Sequence, residues 1–315
     1  MTNLGTSDLD VSRLCLGGNV FGWTADEDDS YAVLDAYAAA GGDFVDTADA
    51  YSAWGDGHVG GESETIIGGW LRSRGNRDRV VVATKVGMLG VGGLDNLRAD
   101  TVATAAENSL RRLGVDHIDL YYAHQDDPDT PQEETAAAFD ALVRAGKVRY
   151  VAASNFTAER LTSALAVSER EGLAKYVVFQ QHYNLVERSY EGALSAAVAA
   201  GGLSSTPYFS LAKGFLTGKY RPGVAVESTR ATAASKYLDE RGLRVLDVLD
   251  EVAAAHGTTV AATALAWLAA QPTVAAPIAS ARTAGQLADL LPVLDLELKA
   301  DEIARLTAAS EPEAG

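Results

Sequence analysis

Val80-Val81-Val82-Ala83-Thr84-Lys85 is an apolar, mostly β-branched run that ends on a lysine. Its neighbours repeat the arrangement. Phe44-Val45 gives out at Asp46, Leu120-Tyr121-Tyr122 stops just short of His124, and Tyr150-Val151 runs on toward Ser154 and Asn155. Short runs of β-branched and aromatic residues bounded by turn residues are the signal of buried strands. A polar residue at the C-terminal end of each has a specific meaning. In a parallel barrel wrapped by helices those ends open onto one face, so groups distant in sequence can converge there.

Working outward, eight strand candidates alternate with helical windows: Arg13–Gly17, Asp43–Asp46, Val80–Lys85, His117–Tyr122, Val148–Ser154, Val177–Gln180, Leu203–Tyr208 and Val274–Pro277. Between them fall helical patterns over Asp28–Ala40, Glu62–Arg74, Arg98–Leu113, Pro131–Ala145, Ala158–Glu171 and Tyr190–Ala200, with a last helix near Asp301–Ser310. Gly75 and Gly114 follow helical runs, where a left-handed residue suits glycine. Thr157 suits an N-cap and Pro131 a first helical turn. The expected class is α/β, a (β/α)8 TIM barrel forming a single domain over residues 1–315. An N-terminal hairpin is expected over Leu4 to Val11. Two extra helices, Lys236–His256 and Thr259–Ala270, interrupt the alternation between strands 7 and 8.

The composition bounds the partners. With 26 basic against 43 acidic side chains the net charge is −17, which repels a phosphodiester backbone. Nucleic acid is therefore not an expected partner. The longest uncharged stretch, Thr258 to Ala281, is broken by Gln271-Pro272 and reads as a buried helix, a turn and a strand rather than a membrane span. Met1 to Asp10 lacks the basic and apolar regions of a signal peptide. The lone Cys15 fits a small core residue in a reducing cytoplasm. The histidines show no close-spaced ligand pattern, so no metal is expected.

Tyr51 follows Asp46 closely and brings chemistry into view. A phenol with a pKa of about 10 exchanges protons poorly at pH 7 unless its phenolate is stabilised. An ammonium about 4 Å away, at an effective dielectric near 20, supplies about 4 kcal/mol toward that before desolvation offsets part of it. Lys85 is expected to act in this way and so to lower the Tyr51 pKa. A lysine inside a barrel needs a carboxylate to stay charged, a part Asp46 can play. His124 can donate a hydrogen bond to a carbonyl oxygen or relay a proton. Taken singly, each residue also fits a bland part: a strand-end ion pair, a packing tyrosine, a loop histidine.

Asp46-Thr47-Ala48-Asp49-Ala50-Tyr51, Gly61-Glu62-Ser63-Glu64, Thr84-Lys85 and His124 together resemble the aldo-keto reductase family. Ser154-Asn155-Phe156, Gln180 with Tyr183-Asn184, Gly214 to Tyr220, and Ser280-Ala281-Arg282 with Gln286 are similar to that family's cofactor-side motifs. The likeness runs from about Leu4 to Leu291. It implies reversible hydride transfer from NADPH to an aldehyde or ketone, with Tyr51 as general acid, Lys85 and Asp46 as its tuning pair and His124 orienting the carbonyl. It further implies that Ser154, Asn155 and Gln180 hold the carboxamide and that Tyr208 stacks on the nicotinamide. Ser210, Leu211, Lys213, Gly214, Lys219, Ser280, Arg282, Gln286 and Asp289 would complete the cofactor site. Lys213, Lys219, Arg221 and Arg282 can concentrate positive charge in an acidic chain, and the planar fork of Arg282 suits an adenosine 2′-phosphate, favouring NADPH over NADH. Two positions depart from the common pattern: Leu290 follows Asp289 where relatives often have Asn, and Ser210 stands where a proline is common.

Trp23, Trp54 and Tyr122 are candidates for the substrate pocket, with core packing open for Tyr122. The short segment after the last helix implies, in family terms, a relatively open pocket. Gly55-Asp56-Gly57-His58-Val59-Gly60 matches a dinucleotide-loop string but lies too far beyond its strand to act as one. Two rival functions stay open. One is a Schiff-base aldolase using Lys85; the other is an NADPH-binding regulatory or sensor protein with slow turnover. No heptad or exposed apolar stripe stands out, so a monomer is expected.

Overall fold

The computed structural model describes residues 1–311. A two-stranded antiparallel hairpin, β1 (Thr2–Asn3) and β2 (Asp10–Val11), opens the chain. Eight parallel strands follow: β3 (Cys15–Gly17), β4 (Phe44–Asp46), β5 (Val81–Val86), β6 (Ile118–Ala123), β7 (Val148–Ser154), β8 (Tyr176–Gln180), β9 (Ser204–Ser205) and β10 (Ile278–Ala279). Their order in the sheet is β10-β3-β4-β5-β6-β7-β8-β9. Parallel pairing carries Leu16 to Val45, Val45 to Val82, Ala83 to Leu120, Leu120 to Tyr150, Ala153 to Phe179 and Phe179 to Ser205. A parallel bridge between Ser205 and Val274 brings the last strand segment back to the first, giving the expected (β/α)8 barrel.

Closure differs from the sequence reading in one respect. The final strand was expected at Val274–Pro277, yet its first half hooks β9 and only Ile278–Ala279 pairs with β3. Pro277 has no N–H and cannot donate within a ladder. Its carbonyl instead accepts from Cys15 N at 2.9 Å, Ala275 N donates to Ser205 O at 2.9 Å, and Ile278 N donates to Pro207 O at 2.9 Å. Pro207 likewise shortens β9 from the expected Leu203–Tyr208, although Tyr208 N still reaches Gln181 O at 3.0 Å.

The helices are α1 (Glu27–Ala39), α2 (Glu62–Arg74), α3 (Ala99–Leu113), α4 (Gln132–Arg144), α5 (Ala158–Glu171), α6 (Ala193–Ala200), α7 (Ala231–Ala234), α8 (Glu240–His256), α9 (Val260–Ala269), α10 (Ala284–Ala288) and α11 (Ala300–Ala309). Gly75 and Gly114 end α2 and α3 with φ of 59° and 66°, and the Thr157 side chain caps α5. Pro131 stands just before α4 rather than inside it. Helix α8 starts at Glu240 instead of Lys236 because the chain folds back there. A Cβ on Gly242 would lie 1.8 Å from the Tyr237 carbonyl oxygen, and Asp239 caps Gly242 N at 2.7 Å. The uncharged stretch from Thr258 resolves into buried α9, a turn and β10. No single helix among the described residues is long and apolar enough to cross a membrane.

Strand residues alternate between two packed layers, as the period of two requires. Leu16, Val45, Val82, Tyr121, Val151 and Phe179 face the helices. Cys15, Phe44, Ala83, Leu120, Tyr122, Ala152 and Val178 fill the barrel, joined by Leu4, Leu9 and Val11 of the hairpin. The hairpin packs at the N-terminal ends of the strands, where Gly5 N donates to Ser204 Oγ at 2.8 Å. The opposite face is left to the loops.

Candidate active site

The alternation that buries Phe44, Ala83, Tyr122, Ala152 and Val178 inside the barrel gives Asp46, Lys85, His124, Ser154 and Gln180 the same inward parity at the strand ends. Lys85 is fully buried. Its ammonium donates to Asp46 Oδ2 at 2.7 Å, to the Thr47 carbonyl at 2.6 Å and to Tyr51 Oη at 2.9 Å. Tyr51 Oη donates in turn to Asp46 Oδ2 at 3.1 Å, and Gln180 Nε2 donates to Asp46 Oδ1 at 3.0 Å. Three acceptors around one nitrogen use all three hydrogens of an ammonium, so the geometry describes a charged Lys85. Burial pulls its pKa down, opposed by the Asp46 carboxylate.

The expectation for Tyr51 is corrected here. Its pKa lies well above the ordinary phenol value, raised first by burial and then by the Asp46 charge and hydrogen bond. The reading from sequence let desolvation offset only part of the cation's effect, whereas here burial outweighs it, and it did not count a carboxylate that accepts from the phenol. At neutral pH Tyr51 is thus a protonated donor. Loss of its proton would leave the oxygen 2.9 Å from the Lys85 ammonium. His124, whose ring centroid is 6.0 Å from that of Tyr51, is pushed well below the usual histidine pKa by burial and by Lys85. It is a neutral imidazole, suited to donating a hydrogen bond rather than to storing a proton.

Asp46, Tyr51 and His124 line a cavity of about 800 Å³, and Lys85 lies beneath them. Ser154, Asn155, Gln180, Tyr208, Ser210, Leu211, Lys213, Gly214, Lys219, Ser280, Arg282, Gln286 and Asp289 all border the same cavity. Asn155, at φ 57° just past β7, donates from Nδ2 to the His124 carbonyl at 2.9 Å and accepts from Tyr208 Oη at 2.8 Å. Ser280 Oγ donates to Asn19 Oδ1 at 2.7 Å, and Gln286 Oε1 accepts from Arg282 N at 3.0 Å. Lys213 and Gly214 have successive positive φ of 59° and 98°, a conformation that can gather backbone N–H groups around an anion.

Part of the cavity wall carries uncompensated positive charge. Lys219 and Arg230 both have lowered pKa values, from burial first and then from Arg282. Among the described residues none of Lys213, Lys219, Arg230 or Arg282 forms an ion pair. In a chain of net charge −17, such a cluster suits a bound anion. Arg230 escaped the sequence reading, because its loop has no periodicity to mark it. Arg221, expected here, instead pairs with Asp250 on α8 at 2.7 Å and lies outside the cavity wall.

Beside Tyr51, whose ring centroid is 6.1 Å from that of Trp54, Trp23 and Trp54 meet edge to face, centroids 5.5 Å apart, and Met88 adds to the wall. Tyr122 does not join them. It is wholly buried in the barrel below the cavity, with its hydroxyl 3.0 Å from Thr206 Oγ1, because it sits one inward step before His124. The Gly55–Gly60 string forms part of the rim loop between β4 and α2 and follows no strand directly. Among the described residues no group of three or more His, Cys, Asp or Glu is arranged to hold a metal.

Comparison with known proteins bears on this geometry. The model of the aldo/keto reductase family matches residues 13–311. Among similar proteins, "Uncharacterized oxidoreductase YrpG" of Bacillus subtilis (strain 168) is 36% identical, covering 94% of this chain and 91% of the relative. "Protein tas" of Escherichia coli (strain K12) is 31% identical over 97% of this chain and 96% of its own. A "Probable voltage-gated potassium channel subunit beta" of Oryza sativa subsp. japonica is 33% identical over 93% and 90% respectively.

Proposed function

This chain belongs to the aldo/keto reductase family and is an oxidoreductase, and from that premise we propose that it reduces an aldehyde or ketone to an alcohol with NADPH. The observation that carries the reading is that one cavity joins a proton donor to a cluster of unpaired cations. A protonated Tyr51, hydrogen-bonded to Lys85 and Asp46, lines the same cavity as the unpaired cations Lys213, Lys219, Arg230 and Arg282. The reduced nicotinamide, when bound, supplies hydride to the carbonyl carbon.

The residues supply the rest. Tyr51 hands its proton to the carbonyl oxygen, and the charge left on its own oxygen is met by the Lys85 ammonium. Asp46 keeps Lys85 charged in a dry site. Neutral His124 donates to the same carbonyl oxygen and fixes its direction. Asn155 and Ser154 are suited to the carboxamide, with Asn155 already oriented by Tyr208 and the His124 carbonyl. The cation cluster fits the phosphates, and Arg282 fits a 2′-phosphate. Trp23, Trp54 and Met88 offer an apolar seat for the substrate. We read the protein as a cytoplasmic barrel acting on a small carbonyl compound.

The Schiff-base alternative finds no support in this geometry, since all three hydrogens of Lys85 are engaged and none leaves a free amine. A regulatory role finds a parallel in the name of the Oryza sativa relative, a "Probable voltage-gated potassium channel subunit beta". Fluorescence titration with NADPH and NADH, followed by turnover with 4-nitrobenzaldehyde and other carbonyls, tests the proposal. NADPH consumption matched by alcohol supports reduction, whereas tight binding with turnover no faster than buffer supports the regulatory role.

A further inference from the structure

His182 takes no part in the account so far, yet it lies directly behind a cavity wall. Its ring stacks on Tyr208 with centroids 5.7 Å apart and an interplanar angle of 17°. Tyr208 borders the cavity and His182 does not, so the imidazole occupies the face of Tyr208 turned away from it. The Tyr208 ring is then fixed twice, by this stack and by its hydroxyl on Asn155 Oδ1 at 2.8 Å.

The buried Asn184 decides the protonation state of His182. Asn184 Oδ1 accepts from Val186 N at 2.9 Å, which orients the amide and turns Nδ2 toward the Phe209 carbonyl at 2.9 Å and His182 Nε2 at 3.3 Å. An amide nitrogen can only donate, so His182 Nε2 must accept and carry no proton. Protonation would set N–H against N–H, loosening an anchor that also holds Phe209, the neighbour of Tyr208.

We infer that His182 is a positioning residue for the nicotinamide: a neutral imidazole, kept so by Asn184, backs the Tyr208 platform and allows the oxidised, positively charged ring to bind there without a cation behind it. The inference rests on the proposed placement of nicotinamide against Tyr208. A ring stacked about 5 Å, centroid to centroid, on the far face of Tyr208 would sit about 10 Å from a charged His182. At an effective dielectric near 20, repulsion at that range weakens binding of the oxidised coenzyme about fifteenfold, with little effect on the neutral reduced ring. The charged groups facing His182 are Glu187, which favours the cation, and Lys213, which opposes it. Burial outweighs both and lowers the histidine pKa below its ordinary value.

The test is the ratio of NADP+ to NADPH dissociation constants, measured by fluorescence titration between pH 8 and pH 5. Titration of the coenzyme 2′-phosphate affects both forms alike and cancels in the ratio. In the unaltered protein the ratio should stay low at pH 7 and rise only where pH falls below the lowered pKa of His182, whereas His182→Arg, whose planar guanidinium can stack on Tyr208 and stays charged, should raise it about tenfold at every pH. His182→Phe, which keeps a flat ring that cannot be protonated, should hold the ratio level. A ratio in His182→Arg no higher than in the unaltered protein, with both coenzymes still bound, overturns the inference. An unchanged rise in His182→Phe also overturns it and points to His124 instead. Failure to bind either coenzyme would overturn the proposed function along with it.

Discussion

Lys85 Nζ stands 2.9 Å from Tyr51 Oη, and both groups share a single oxygen of Asp46. Two donors on one carboxylate oxygen make the phenol easy to describe and hard to ionise. It stays protonated until a stronger acceptor, a carbonyl oxygen gaining negative charge, replaces Asp46 as its partner. The same ammonium that cannot lower the resting pKa then stabilises the phenolate left behind.

The buried pair also bears on stability. Lys85→Met should leave the Asp46 carboxylate buried against Gln180 and Tyr51 without its cation, costing about 3–5 kcal/mol. Chemical denaturation of the variant would measure the loss. The double variant Asp46→Leu with Lys85→Met should recover a large part of it, because no lone charge remains. A double variant no more stable than the single one would count against the pair as described.

Arg282→Ala should weaken NADPH binding by tenfold or more and NADH binding by less than threefold, since a charge-assisted bidentate contact to a phosphate is absent from NADH. Titration with both coenzymes reads this directly. Equal losses for the two would reject the assignment of Arg282 to a 2′-phosphate. Arg221→Ala, by contrast, should leave both affinities within twofold, its guanidinium being held by Asp250.

Asp49 lies between Asp46 and Tyr51, buried, with neither carboxylate oxygen hydrogen-bonded. Burial first, then the neighbouring Glu64, push its pKa up to about 8 against a partial offset from Arg112. The folded pKa is therefore raised above the unfolded value. The folded protein binds the extra proton, and stability falls as pH rises from about 4 to about 8. Asp49→Asn removes that slope. Melting temperatures should favour the variant increasingly across this window and by a constant margin above pH 8. A margin independent of pH would contradict a protonated Asp49.

Most of this architecture could be read from the chain, and the failures have physical causes. Strand runs that end on Asp46, Lys85 and Ser154 betray both the barrel and the inward parity of its rim, because a period of two is written in every strand. The split of the last strand around Pro277 is not, since it depends on which neighbour each half of the segment meets. Tyr122 shares the inward parity of Lys85 but lies a layer deeper, a depth that alternation alone does not reveal. Arg221 and Arg230 look alike in an aperiodic loop, and only the fold tells which faces Asp250 and which faces the cavity. The Tyr51 pKa is raised rather than lowered because the depth of burial, which sets the cost of desolvation, and the Asp46 hydrogen bond to the phenol are not written in the sequence.

The central claim is that Tyr51 delivers the proton. Single-turnover reduction of 4-nitrobenzaldehyde by the NADPH complex tests it most directly. Tyr51→Phe should slow the step by about 10²–10⁴-fold while NADPH affinity stays within threefold of the unaltered protein. Hydride transfer by Tyr51→Phe at an undiminished rate would contradict the account.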